Sequence, residues 1–168
     1  MKKIFSVILA AVICLTMCAC DPGWHEIDRE ELNSVSSIEL IEYANPDQKA
    51  FVSWVPNQFD KLLPFDSAKA TTLEELPAEN ISDFLDAFSQ KDILSAYYAY
   101  NSPKDICIRL NYQNGNFLIV WANYANNTYA GYIGEYSPDG TPLSFWGSFS
   151  GLSYFTDLVN QFFDYQLE

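Results

Sequence analysis

Alternation of apolar and polar positions is clearest at residues 105–124, DICIRLNYQNGNFLIVWANY. Two alternating runs flank Asn114-Gly115. That dipeptide fits a type I′ hairpin turn because both central positions need positive φ. A two-residue loop sets Gln113 opposite Asn116, Tyr112 opposite Phe117, Leu110 opposite Ile119 and Ile108 opposite Trp121. This register places Ile106, Ile108, Leu110, Tyr112, Phe117, Ile119 and Trp121 on one face, which is expected to be core. The other face carries Cys107, Arg109, Asn111, Leu118, Val120 and Ala122, a mixed set expected to face solvent or to be partly covered. A second hairpin is predicted from TYAGYIGEY (128–136) and TPLSFWGSF (141–149), with Leu143, Phe145 and Phe149 alternating on one face. Its link, Ser137-Pro138-Asp139-Gly140, suits a type I turn closed by glycine.

Elsewhere, SSIELIEYA (36–44) predicts the first strand, ending at Asn45-Pro46-Asp47. PFDSAKATTLEEL (64–76) reads as extended and DILSAYYAY (92–100) as a strand. Phe51, Trp54, Val55, Phe59, Leu62 and Leu63 follow helical spacing, but Pro56 interrupts them, so residues 46–63 stay unassigned. Two helices are predicted. One opens at Pro77 and carries the stripe Ile81, Phe84, Leu85 and Phe88. The other runs from about Leu152 to Phe163 with the stripe Leu152, Phe155, Leu158, Val159 and Phe162. The expected fold is α+β: a mainly antiparallel sheet of about six or seven strands with two helices packed on one face, in a single globular domain over 36–168.

The chain begins Met1-Lys2-Lys3 and then carries no charge from Ile4 to Cys20. A basic start, a short apolar run and a small-residue end make the pattern of a secretory signal peptide. The run is shorter than the roughly 20 residues of a spanning helix, although an uncleaved anchor helix stands as the alternative. Its end, LTMCAC, resembles the lipobox of bacterial lipoprotein signal peptides. There a cysteine after a small residue is thioether-linked to diacylglycerol and becomes the first residue after cleavage. Cys20 follows Ala19 and fits that pattern better than Cys18, which follows the bulky Met17. The resemblance covers residues 1–20 alone. It implies a signal peptide over 1–19, a lipidated tether over 20–35, and the bilayer as a partner through acylated Cys20. The body is then exported and held at the outer face of the cytoplasmic membrane, since two acyl chains anchor stably where one does not. An ordinary signal peptide with incidental cysteines is the competing reading.

Charge narrows the partners. The whole chain has net charge −13; without Lys2 and Lys3, seven basic side chains face 22 acidic ones, a net of −15. Such a body is repelled by nucleic-acid phosphates and anionic headgroups, so no nucleic-acid role is expected. Aromatic residues make up 16% of the chain, enough to fill a core without disulfides. With Cys20 acylated, Cys107 is the only thiol left after cleavage, and His25, the only histidine, lies in the expected tether. Cys107 is therefore expected to be a buried or half-buried, inert thiol rather than a nucleophile with a base beside it.

No motif assigns a catalytic, cofactor or metal residue. GSFSG (147–151) has Phe149 where a nucleophile elbow needs serine. HEIDREE (25–31) lacks the second histidine of a zinc-protease helix. Asp139-Gly140 lacks the spaced acids of a calcium loop. The leading expectation is a membrane-tethered binding or interaction module for an envelope protein or glycan. A cluster of Tyr97, Tyr98, Tyr100, Tyr124 or Tyr132 with Trp146 at the surface would mark its interface. The alternative is a small cell-envelope hydrolase using paired carboxylates, which 22 acidic residues permit without singling out a pair.

Overall fold

A computed structural model describes residues 24–44, 52–55, 58–90, 92–94, 104–125, 128–150, 154–165 and 167. The strands are β1 (Trp24–Glu26), β2 (Val35–Ala44), β3 (Val52–Val55), β4 (Gln58–Leu62), β5 (Ala70–Glu75), β6 (Asp92–Leu94), β7 (Lys104–Tyr112), β8 (Phe117–Ala125), β9 (Thr128–Tyr136) and β10 (Pro142–Ser150). The helices are α1 (Ile81–Ser89) and α2 (Tyr154–Phe162). One sheet runs in the order β1-β6-β10-β9-β8-β7-β2-β5, and β3 pairs with β4 apart from it. Every pairing is antiparallel. The fold is thus α+β. Six longer strands form the body of the sheet, and the three-residue β1 and β6 extend it to eight.

The register of the central hairpin differs from the predicted one by one residue. Asn111 faces Phe117, Leu110 faces Leu118, Ile108 faces Val120 and Cys107 faces Trp121. The cause is the turn. The Asn114 side-chain oxygen accepts from the Asn116 N–H at 2.9 Å, and Gly115 takes φ 89°. Tyr112 N–H donates to the Asn116 carbonyl at 2.8 Å, so Gln113, Asn114 and Gly115 make a three-residue loop. A slip of one residue carries every side chain of β8 to the opposite face. Leu118, Val120 and Ala122 join Ile108, Leu110 and Tyr112. Phe117, Ile119 and Trp121 move to the face of Cys107.

Both faces are consequently core. On one, α1 and α2 present the stripes that their spacing predicts: Phe84, Leu85 and Phe88, then Phe155, Leu158 and Val159, are buried. They pack on Ile38, Leu40, Ile108, Leu110, Leu118 and Val120. Tyr154 is also buried, and its hydroxyl donates to the Phe88 carbonyl at 3.0 Å, linking the two helices.

The expected tether is partly folded into this layer. Of residues 20–35, those from 24 onward belong to the body. Trp24–Glu26 pairs with Asp92–Leu94. Asp28 caps a 3-10 turn over Arg29–Leu32 by accepting from Glu30 N–H at 2.8 Å. Ile27, Leu32 and Val35 are buried, and Arg29 donates to Asp86 of α1 at 2.8 Å. Three apolar residues at irregular spacing among acids leave no periodicity to read, so only tertiary burial reveals them.

The opposite face is closed by a strap. Within the stretch of helical spacing, Val52–Val55 and Gln58–Leu62 are strands that pair as β3 and β4, with Val52 opposite Leu62 and Val55 opposite Gln58. The chain then runs across the sheet to Phe65. Leu62 and Phe65 are buried against Tyr43, Phe117, Trp121 and Tyr136. Phe65 N–H donates to the Gly140 carbonyl at 2.9 Å, pinning the strap to the β9–β10 turn. Cys107 is a fully buried thiol in this layer, as expected. The segment read as extended over 64–76 holds a 3-10 turn at Ser67–Lys69 followed by β5, which pairs with β2.

The second hairpin forms around Ser137-Pro138-Asp139-Gly140, with Gly140 N–H donating to the Ser137 carbonyl at 2.8 Å. Its predicted face does not form. Irregularities in β10 between Pro142 and Ser144 and between Phe145 and Gly147 break the alternation. Leu143 is exposed, Phe145 packs toward the strap and Phe149 toward the helices. Of the strand expected over 92–100, β6 covers Asp92–Leu94, and the remainder lies outside the described residues.

Candidate functional site

A groove of about 410 Å³ opens at the margin of the helix-side core. It is lined by Glu31, Ser34, Tyr112, Asn114, Glu135, Ser144 and Trp146. Four separate stretches of chain build it. The 3-10 turn before β2 brings Glu31 and Ser34, and the Ser34 carbonyl accepts from Gln113 N–H at 2.9 Å, which ties this stretch to the β7–β8 turn. Tyr112 ends β7, Glu135 lies on β9, and on β10 Ser144 borders the first irregularity and Trp146 lies within the second.

Glu135 is held by neutral donors. Its Oε2 accepts from Ser144 Oγ at 3.0 Å and from Trp146 Nε1 at 3.4 Å, and its Oε1 from Asn116 Nδ2 at 3.4 Å. Tyr112 is only 7% exposed, and its buried hydroxyl has no hydrogen-bond partner. Its phenol stays protonated far above the ordinary tyrosine range, first because burial disfavours the phenolate, then because the charges of Glu135 and Glu31 oppose it. At neutral pH it is therefore a hydroxyl that donates or accepts, not a base. Among the described residues, no Lys, Arg or His lines the groove.

Tyr112→Phe is expected to leave folding stability unchanged or to raise it by up to about 1 kcal/mol, because a buried hydroxyl without a partner contributes only its desolvation penalty. Urea unfolding followed by fluorescence measures this. A loss beyond about 1 kcal/mol would show that the hydroxyl is satisfied in solution.

Of the residues singled out by sequence, Trp146 lines the groove. Cys20 lies outside the described residues, as do Tyr97, Tyr98 and Tyr100. Tyr132 is buried on the strap side, so it does not join Trp146, which packs on the helix side. Gly147 to Ser150 of the GSFSG stretch continue β10 rather than forming an elbow, and His25 lies in β1. The Asp139 carboxylate accepts from Ser137 Oγ and Thr141 N–H, which holds its pKa below the usual carboxylate value; it serves a turn, not a calcium loop. Among the described residues, no cluster of three His, Cys, Asp or Glu is placed to hold a metal ion, and no helix is long and apolar enough to cross a membrane.

Glu31, Ser34, Glu135 and Ser144 carry no motif, Asn114 signals only its turn, and Tyr112 reads from sequence as a plain core residue. Their only local signal is that they sit beside turns. No family model, no curated protein and no solved structure matches this chain.

Proposed function

We propose that this chain is a binding or interaction module, exported and tethered to the outer face of the cytoplasmic membrane through acylated Cys20, with the groove around Tyr112 as its ligand site. The observation that carries the binding part is Tyr112: the residue lines an open polar groove, and its buried hydroxyl has no partner. Buried polar groups in folded proteins are nearly always hydrogen-bonded, so an orphan hydroxyl on a groove-lining residue points to a ligand that completes it. Cys107 lies in the strap-side core and does not line the groove. The tethering part is supported by the lipobox-like end of the leader at Ala19-Cys20. The net charge of the body keeps it off anionic headgroups, which leaves the groove accessible to an envelope protein or a glycan.

In-cell crosslinking with wild type and Cys20→Ser tests the reading. The wild type is expected in the membrane fraction with one specific envelope partner, and Cys20→Ser in the soluble fraction without it. Equal membrane association of both forms would remove the lipid anchor from the proposal.

The second reading is a small envelope hydrolase. It draws on Glu31 and Glu135, two carboxylates that line the same groove. Turnover of a wall polymer by wild type, abolished in both Glu31→Gln and Glu135→Gln, would establish it.

A further inference from the structure

We infer that the groove receives a positively charged alkylammonium or guanidinium group, held between Glu31, Glu135 and the Tyr112 hydroxyl. This rests on the groove being the ligand site. Three features of the groove converge on a cation. Glu31 and Glu135 bring two carboxylates to one cavity, and none of the described residues that line it is basic. The Tyr112 hydroxyl lies where the charges of both carboxylates reach it, and its oxygen lacks the donor that an ammonium or guanidinium N–H would supply. Trp146 lines the same cavity, and an indole is the aromatic group that best accommodates a cation with an aliphatic stem.

The body does not supply this cation from the two arginines whose ion pairs are described. Arg29 is paired with Asp86 at 2.8 Å. Arg109 lies on the strap side of the sheet, 4.0 Å from Glu39 and stacked 4.1 Å over the Phe117 ring. An anionic ligand would meet two like charges in the groove. A neutral sugar would hydrogen-bond to them but leave their charge uncompensated. An ammonium or guanidinium group answers both carboxylates and the orphan hydroxyl together.

The test is isothermal titration of the full chain, purified in neutral detergent, with cadaverine, agmatine, tetralysine and, as a neutral glycan, chitotriose. The expected result is binding of at least one cation that weakens with added salt. Its affinity falls about tenfold in Glu31→Gln, in Glu135→Gln and in Tyr112→Phe, the loss of one charge-assisted hydrogen bond in each case. Glu31 is exposed, so Glu31→Gln reads binding without disturbing the fold. Binding of cadaverine or agmatine assigns the site to a free base. Binding of tetralysine alone, with the same losses, assigns it to basic side chains of a protein partner. Equal binding by wild type and Glu31→Gln overturns the inference, as does failure of every cation to bind. If chitotriose alone binds and is lost in Tyr112→Phe, the cation is wrong and the groove remains the ligand site. If no probe binds, and in-cell capture of a partner persists in Tyr112→Phe, the groove itself is not the site.

Discussion

Phe65→Ala is expected to lower the free energy of unfolding by about 3–5 kcal/mol. That would be surprising from the sequence, since Phe65 belongs to no helix or strand and lies between β4 and a short 3-10 turn. The structure makes it a keystone. It is 2% exposed, and its ring centroid lies 4.9 Å from that of Tyr43, 5.4 Å from Phe117, and 5.8 Å from both Trp121 and Tyr136. Alanine would leave a cavity walled by stiff aromatic rings on a sheet that cannot collapse inward. Cavities that do not relax are the costly ones. Urea unfolding gives the number, with Leu143→Ala as the comparison: Leu143 is 51% exposed, and its loss is expected to cost no more than about 0.5 kcal/mol. A Phe65→Ala effect near that of Leu143→Ala would mean that the strap does not seal the second face.

Gly140→Ala is expected to cost about 3 kcal/mol or more, from two additive causes. Gly140 has φ 82°, a left-handed conformation that costs an L-residue roughly 1–2 kcal/mol. A Cβ there would also stand 1.9 Å from the Phe65 carbonyl oxygen, so the strap must be displaced and the Phe65–Gly140 hydrogen bond broken. Gly115→Ala separates the two causes. Gly115 has φ 89°, yet its Cβ would meet only Pro138 side-chain atoms, the nearest at 3.2 Å, so the backbone term alone is expected there. Because Phe65 and Gly140 share one contact, the double variant Phe65→Ala/Gly140→Ala should lose less than the sum of the singles. Strict additivity would show that the turn and the strap are independent.

The β7–β8 turn links these stability arguments to the groove. Its three-residue loop closes through Tyr112 and Asn116, which lets Asn116 reach Glu135 and sets Asn114 beside Tyr112 at the groove wall. The same loop sends Phe117 and Trp121 to the strap side, where they meet Phe65. Under the two-residue register, Tyr112 and Phe117 would have shared a face.

What the sequence determined by itself was whatever a local period encodes. The stripes Phe84-Leu85-Phe88 and Phe155-Leu158-Val159 decided both helices, because one buried face on a polar helix leaves a strong 3.6-residue signal. Ser137-Pro138-Asp139-Gly140 decided the second turn, because few residues suit that backbone. Tertiary structure alone decided three other things. It chose the β7–β8 register, because β8 is apolar at Phe117, Leu118, Ile119, Val120 and Trp121 in succession, and a strand buried on both faces has no alternation to say which residue points where. It drew residues 24–35 and the strap into the fold, because Ile27, Leu32, Leu62 and Phe65 are too sparse to form a period and gain burial only against a finished sheet. It assembled the groove, because Glu31, Tyr112, Glu135 and Trp146 come from four stretches that only the sheet order brings together. A polar site of that kind has no pattern along the chain; it exists only as proximity in the folded molecule.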